Sequence, residues 1–121
     1  MKIIALKDVA TTVPQMDGAQ GIRKQVPLGV ADGTPTMSVR VFTVAPGGHT
    51  PFHSHPWEHL NYILKGRGVL RDGQGREHPL TAGDYAMVSP DEQHQFRNPS
   101  TDAGGSGEEL QFICLVPKER E

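Results

Sequence analysis

Three of the six histidines in this chain of 121 residues lie close together, at His53, His55 and His59. Side chains two residues apart on a β-strand project from the same face, so His53 and His55 form a pair. His59 has the same parity, and a proline-containing break before it allows the chain to fold back. An antiparallel arrangement can bring His94, on a separate predicted strand, beside them. Because imidazole is a common metal ligand, the spacing predicts a four-histidine metal site.

Four neutral imidazoles leave a divalent ion with its full charge. In an octahedral site they also leave two adjacent positions open for water, dioxygen, peroxide or a chelating substrate. The ion would act as a Lewis acid, and a redox-active ion would add electron transfer. By ligand preference alone, imidazole suits Zn, Cu, Fe or Ni better than Mn. The two remaining histidines, His49 and His78, lie beside turn residues and are predicted to be surface residues.

The elements that must hold these side chains are predicted to be short strands. The 14 glycines and 10 prolines make up about 20% of the chain, against about 12% in average proteins. Such a density of chain breakers leaves little room for long helices. The stretches between them are rich in β-branched and aromatic residues, and turns such as Asp72-Gly73-Gln74-Gly75 predict hairpins. We therefore expect one all-β domain, an antiparallel sandwich or barrel.

The expected strands number nine or ten. Residues 2–6 are a strand or a docking arm, and residues 10–21 and 98–107 are loops. The remaining predicted strands are 22–30, 37–45, 53–55, 59–65, 69–71, 77–80, 85–89, 94–97 and 109–116.

Charge and cysteine content exclude several classes of protein. Twelve Lys and Arg against 14 Asp and Glu give a net charge of −2, whereas a nucleic-acid binder should carry a basic excess. No apolar run approaches the roughly 20 residues that span a bilayer, and the apolar N-terminal stretch is too short for a signal peptide. The single cysteine, Cys114, requires no oxidising compartment. We expect a cytoplasmic protein with neither nucleic-acid nor membrane partners.

Two motifs resemble those of the cupin superfamily. The first is Gly47-xxxxx-His53-x-His55-xxx-His59-xxxxxx-Gly66, and the second is Gly83-xxxxxx-Pro90-xxx-His94-xxx-Asn98. Two departures are a histidine in place of the usual acidic ligand at position 59, and a glutamate in place of the usual glycine at position 92. The resemblance implies a cupin-type antiparallel jelly-roll barrel, a single domain over 1–121 with an N-terminal arm over about 1–21 and metal motifs at 47–66 and 83–98.

Three segments are similar to small single-domain, four-histidine manganese cupins. They are residues 53–59, 94–98 and 115–119. The resemblance implies manganese as the ion, and we take iron as the second choice. Protein purified from a heterologous host is expected to carry zinc or nickel as alternatives. It also implies a homodimer, and members of that group cleave or oxidise alkenes when given an oxidant. It does not identify a natural substrate.

Residues around the predicted centre follow from parity and from the resemblance. Phe96 shares the parity of His94, and Asn61 shares that of His59. The resemblance places the face of the last strand that carries Phe112, Cys114 and Val116 inside the barrel. It places Arg40 and Thr50 at the rim of the barrel. The predicted catalytic residues are Arg40 and Cys114, and the predicted substrate pocket comprises Thr50, Asn61, Phe96, Phe112 and Val116.

Each of these assignments has a structural alternative. Arg40, on a predicted inner face, either clamps a substrate carboxylate, pairs with a structural acid or reaches out of the barrel mouth. Cys114 is either oxidised near a redox metal or an inert small hydrophobic residue. Phe96 and its neighbours alternatively fill the barrel, Trp57 caps the barrel or meets a dimer partner, and Glu58 faces solvent or supports a ligand.

Three functions remain open from the sequence. The first is an oxidoreductase or dioxygenase-like enzyme that acts on a small organic substrate at a Mn or Fe centre. The second is a non-redox, metal-dependent sugar-acid isomerase or lyase-type cupin. The third is a metal- or ligand-binding module without turnover.

Overall fold

The computed structural model describes residues 1–100 and 107–121, and it confirms an all-β fold. Part of the predicted loop at 98–107 lies outside these residues. Single turns of 3₁₀ helix occupy Leu6–Asp8, Val30–Asp32 and Lys118–Arg120. None of the helical turns in the described ranges is long or apolar enough to cross a membrane. The strands are β1 Gln20–Leu28, β2 Met37–His49, β3 His59–Lys65, β4 Arg67–Asp72, β5 Glu77–Thr81, β6 Tyr85–Val88, β7 His94–Arg97 and β8 Leu110–Pro117.

The strands form one curled antiparallel sheet in the order β5-β4-β7-β2-β8-β3-β6, with β1 paired to β2. The long strand β2 changes partner along its length. Residues 37–44 pair with β8, whereas His49 pairs with Arg97 of β7. Gly47 has a φ of 79°, which bends β2 between these two pairings. A strand that bends and switches partners turns a corner, so the sheet wraps around its own inner face.

The apolar core lies on the inner face of this curl. Strand β8 alternates as predicted, because Phe112, Cys114 and Val116 are at most 1% exposed whereas Ile113 and Leu115 are half-buried. The Phe112 ring stacks on that of Phe96 with centroids 4.2 Å apart. This aromatic pair joins β8 to β7 across the interior and forms the floor of the candidate site.

Residues 2–6 were predicted to be a strand or a docking arm, and the structure excludes the strand. The chain instead enters a 3₁₀ turn at Leu6. Lys2 forms an ion pair with Asp32, and the Gln25 side-chain amide donates to the carbonyl of Leu6. The segment is thus attached at both ends and lacks a strand partner among the described residues. The predicted edge strand at 22–30 begins and ends two residues earlier, as β1, and pairs with β2.

Gly66 of the first motif has a steric role. It has a φ of 82°, and a Cβ atom at this position would lie 2.1 Å from the carbonyl oxygen of Glu109. No side chain fits there, so glycine is required where the chain passes from β3 to β4 beside the start of β8.

Candidate metal centre

The two histidine motifs meet through a pair of backbone hydrogen bonds. The amide of His94 donates to the carbonyl of His53 at 2.9 Å, and the amide of His53 donates to the carbonyl of His94 at 3.1 Å. The segment predicted as a strand at 53–55 is thus a single antiparallel bridge. This bridge places the most distant histidine of the sequence directly beside the first.

Three histidines form the tightest group. Candidate ligand atoms of His53, His55 and His94 all lie within 4.8 Å of one another. Their ring centroids are 5.0–5.2 Å apart and their planes are strongly inclined. Imidazole nitrogens this close to one another could bind one shared metal ion.

His59 is adjacent to this group but outside its closest set of atoms. Its ring centroid lies 4.3 Å from that of His55 and 5.2 Å from that of His94. It is the first residue of β3 and is 7% exposed, so its ring is directed into the interior. The structure therefore brings all four predicted histidines together, with candidate ligand atoms of three of them in the tightest group and the His59 ring beside that group.

Backbone carbonyls fix the tautomers of two of these rings. His55 donates from Nδ1 to the carbonyl of Trp57 at 3.0 Å, and His94 donates from Nδ1 to the carbonyl of Glu92 at 2.8 Å. In a neutral ring this leaves Nε2 with a lone pair. The Nε2 atom of His55 is buried and has no hydrogen-bond partner. A metal ion at the centre of the cluster satisfies such an atom, so the residues present fit a divalent ion.

Burial keeps the four imidazoles neutral. Burial, together with the neighbouring imidazoles and Arg40, lowers the pKa of His53 from 6.5 to about 4. Burial and the same neighbours lower the pKa of His59 to about 2. The pKa values of His55 and His94 are also lowered by burial, although each backbone hydrogen bond opposes the shift. At neutral pH every ring is therefore in the form that binds a metal.

A cavity of about 60 Å³ lies against the histidines. This volume accommodates about two water molecules. No carboxylate lines it among residues 1–100 and 107–121. The non-histidine lining residues are Met16, Arg40, Phe42, Thr50, Phe96, Phe112 and Cys114.

A family model described as "Cupin domain" matches residues 40–104, which is more than half of the chain. This chain is a cupin. The matched range contains all four histidines and both sequence motifs, so the resemblance to the superfamily is confirmed. The finer expectation of a four-histidine manganese centre is not decided by the family match.

Curated relatives of this cupin carry diverse names. A 1-methylthio-D-xylulose 5-phosphate methylsulfurylase from Rhodospirillum rubrum is 35% identical over 86 residues, which are 71% of this chain and 51% of the relative. Auxin-binding protein 4 of Zea mays is 25% identical over 93% of this chain and 57% of its own length. An oxalate-binding protein of Thermotoga maritima is 32% identical over 59% of this chain and 54% of its own. This cupin thus spans a little over half the length of these relatives.

Solved structures agree with the cupin architecture. The polyketide cyclase RemF from Streptomyces resistomycificus superposes with a TM-score of 0.87 at 29% identity, covering 97% of this chain and 79% of its own. A cupin-2 domain protein from Rhodospirillum rubrum gives a TM-score of 0.79 at 27% identity, covering 99% and 76%. The similarity extends over nearly the whole of this cupin.

The two residues predicted to be catalytic are in contact. Arg40 and Cys114 are register partners on β2 and β8, and Arg40 Nη2 lies 3.0 Å from Cys114 Sγ. The Arg40 guanidinium lies over the ring of Phe42, 5.0 Å from its centroid. Burial raises the pKa of the Cys114 thiol, although Arg40 opposes the shift. Within the described ranges no carboxylate pairs with Arg40, and its Nε atom is buried without a hydrogen-bond partner.

Of the five predicted pocket residues, three line the cavity and two do not. Thr50, Phe96 and Phe112 line it. Asn61 and Val116 are buried nearby on β3 and β8 but lie outside the lining, and their role towards a substrate stays a prediction.

Sequence reasoning missed Met16, which a loop delivers to the cavity. No periodicity or motif marks this residue, because its position depends on how residues 10–19 fold across the barrel mouth. Glu58 is exposed, as one of its two predicted alternatives had it. His78 is also exposed, whereas His49 is half-buried beside Gln95.

Proposed function

We propose that this cupin is a metal-dependent oxidoreductase that acts on a small organic substrate. The observation that supports this proposal is the convergence of four neutral imidazoles on a cavity without a carboxylate in its described lining. His53, His55, His59 and His94 would hold one divalent ion per chain. We take manganese as the ion, with iron second and zinc or nickel as replacements. When bound, a redox-active ion would supply electron transfer together with Lewis acidity.

The scarcity of proton-transfer groups favours redox chemistry. Isomerases and lyases move protons and need a residue that ionises near neutral pH. Apart from the histidines committed to the ion, the titratable groups that line the described cavity are Arg40 and Cys114. Burial raises the pKa of the thiol, and arginine stays protonated. Neither group acts readily as a general base, whereas electron transfer requires none.

The charge of the site selects an anionic or strongly polarised substrate. Arg40 contributes a positive charge without a described acidic partner, and its Nε atom has a free donor. A carboxylate or enolate oxygen of the substrate would accept from this donor and would offset the positive charge of ion and arginine together. Phe42, Phe96 and Phe112 would contact the apolar part of the substrate.

A non-redox reaction at the same centre is the second candidate. It is favoured by the similarity to a methylsulfurylase and a polyketide cyclase, whose names do not denote oxygenases. In that case the ion and Arg40 would polarise a substrate oxygen without a change in oxidation state. A third possibility is a binding module, in which the same residues would hold a ligand without turnover.

We also propose a homodimer located in the cytoplasm. Strands β3 and β6 carry an exposed apolar face that includes Leu60, Tyr85 and Met87, and the N-terminal segment exposes Ile3. Large exposed side chains clustered on a sheet face are typical of protein interfaces. A second copy of the chain would cover them, and light scattering after size exclusion would measure the resulting mass.

The first experiment is metal reconstitution with a ligand variant. Wild-type protein should take up one Mn²⁺ per chain, and His59→Ala should lose most of the metal and all turnover. His78→Ala is the matched control, because it removes an exposed imidazole. If His59→Ala retained stoichiometric metal and activity, the four-histidine assignment would be wrong.

The second experiment separates the two reaction classes. Protein loaded with Mn²⁺ is compared with protein loaded with Zn²⁺, against small alkene and carboxylate substrates in the presence of oxygen or peroxide. Turnover that disappears with Zn²⁺ supports the oxidoreductase. Turnover that persists with Zn²⁺ under anaerobic conditions supports the second candidate. Stoichiometric metal with saturable ligand binding but no product supports the binding module.

A further inference from the structure

Three side chains form a stacked column that ends on one of the candidate ligands. The Trp57 indole lies flat against the His55 imidazole, with centroids 4.2 Å apart and planes 9° apart. The guanidinium of Arg120 lies 4.5 Å from the centroid of the same indole. Trp57 thus touches both a candidate ligand and a cation from the end of the described chain.

Trp57 restrains His55 in two ways. Its ring fixes the plane of the imidazole by stacking, and its backbone carbonyl accepts the Nδ1 hydrogen at 3.0 Å. Together these contacts direct the buried, unpartnered Nε2 atom towards the cluster. Trp57 therefore orients His55 through both its ring and its backbone, in addition to the contacts that His55 makes with the other imidazoles.

The cationic end of the column is itself held in place. The amide of Lys118 donates to the carbonyl of Thr36 at 2.9 Å. The Glu121 carboxylate accepts from the hydroxyl of Ser38 at 2.6 Å and from the amide of Val30 at 2.7 Å. The 3₁₀ turn at 118–120 is thus fastened at both ends, and Arg120 is presented to Trp57 from a fixed support.

We propose that Trp57, held by Arg120, is a positioning residue that sets the metal affinity of the centre through His55. This inference rests on the proposed four-histidine site and goes beyond it, since it assigns a role to residues outside the ligand set. A ring already held in the ligand orientation loses little conformational entropy when it binds an ion, so the ion binds more tightly. The cation–π contact draws the indole against the imidazole and excludes alternative rotamers.

The column predicts an order of metal affinities among four variants. Trp57→Phe keeps a flat ring and should bind Zn²⁺ within about threefold of wild type, whereas Trp57→Leu should bind about tenfold more weakly, the low end of the effect of groups that support a ligand. Arg120→Ala should fall between them. Arg120→Lys keeps the cation and should recover most of the loss. Arg76→Ala removes an exposed hairpin arginine and is the matched control.

Affinity is measured by competition with a chromophoric zinc chelator, on metal-free protein of each variant, with circular dichroism to confirm the fold. The arginine pair keeps the test decisive if Trp57→Leu fails to fold. Equal Zn²⁺ affinity for wild type and Arg120→Ala, and for wild type and any folded Trp57→Leu protein, would overturn the proposal. Wild-type protein that binds no metal would overturn the four-histidine site as well, so the two failures are distinguishable.

A second readout comes from Trp57 itself, which is the single tryptophan of the sequence. Its emission reports only on this column. Titration of metal-free wild type with Zn²⁺, which carries no unpaired electrons, should change the emission with a stoichiometry of one per chain. His55→Ala should abolish the change, and Arg120→Ala should shift the emission of the metal-free protein. If the protein binds Zn²⁺ and its tryptophan emission stays unchanged at saturating Zn²⁺, the proposed contact between Trp57 and a metal ligand is contradicted.

Discussion

Two regions of this cupin contain histidines in opposite environments. The inner cluster consists of four neighbouring histidine rings, and burial lowers the pKa of each ring. These rings belong to His53, His55, His59 and His94. On the hairpin between β4 and β5, the exposed His78 places Nε2 2.8 Å from a carboxylate oxygen of Asp72. In the inner cluster, His55 Nε2 and His59 Nδ1 are buried without a hydrogen-bond partner, whereas the exposed hairpin ring has an acidic partner. A histidine is therefore not a candidate ligand by residue type alone. A ring nitrogen without a hydrogen-bond partner in the protein is available to an ion, whereas a paired nitrogen is not.

The largest effect is expected when one histidine ring is removed from each region in turn. His55→Ala should reduce bound metal to a small fraction of one ion per chain, because it removes a ligand and the end of the aromatic column. His78→Ala should leave the metal content unchanged. Elemental analysis after reconstitution and desalting gives the two values. Equal metal loss in both variants would show that the inner histidines do not bind the metal in preference to the exposed His78.

The next effect is on stability, through the wall behind the cluster. Phe112 is 1% exposed and packs on Phe96 and Phe42, so Phe112→Ala should lower the free energy of unfolding by about 3–5 kcal/mol. Phe52 is 39% exposed, and Phe52→Ala should cost much less. Urea denaturation of the metal-free proteins measures both. Comparable losses would mean that the inner face is not the main core.

A smaller effect should appear in the pH dependence of metal-free protein. The inner histidines have pKa values below 6.5 when folded, so the unfolded chain binds more protons as the pH falls below 6.5. Stability should therefore decrease from pH 6.5 towards pH 4, and this decrease should be shallower in His53→Gln. Denaturation midpoints at several pH values provide the measurement. A midpoint that stays constant over this window would contradict the burial of neutral rings.

The smallest effect belongs to the hairpin. Hydrogen bonds from His78 and from two backbone amides lower the pKa of Asp72 below 3.8, so its contribution is present above that pH and is lost in more acid solution. Asp72→Asn should shift the urea midpoint at neutral pH only slightly and should leave metal content unchanged, because exposed pairs contribute little. A large loss of stability would indicate that the hairpin is more than a solvent-facing turn.

Much of this architecture could be predicted from local sequence signals. Glycine and proline punctuation marked most strand limits, and alternation along β8 placed Phe112 and Cys114 on one face, which the cupin resemblance put inside. Parity also grouped the histidines, because three of them lie within one short segment. These signals are local, and side-chain parity follows directly from strand geometry.

Other features depend on contacts that no local signal encodes. The register that sets Arg40 opposite Cys114 is fixed by the pairing of β2 with β8, 74 residues apart along the chain. The extension of β2 past Pro46 arises from hydrogen bonds to Asn98 that hold Gly47 and Gly48 against the end of β7. Arg120 reaches Trp57 only because the strands between them are already assembled. Such arrangements are products of the whole fold.

The bridge between His53 and His94 joins two parts of the chain that would both supply ligands to the proposed ion. An unfolded chain offers an ion at most the short stretch from 53 to 59, so folded protein should bind it far more tightly. At an ion concentration one hundred times the dissociation constant, this linkage adds about 2.7 kcal/mol to the free energy of unfolding. In a cell, a shortage of that ion would then shorten the lifetime of the protein, since proteases would find the unfolded chain more often.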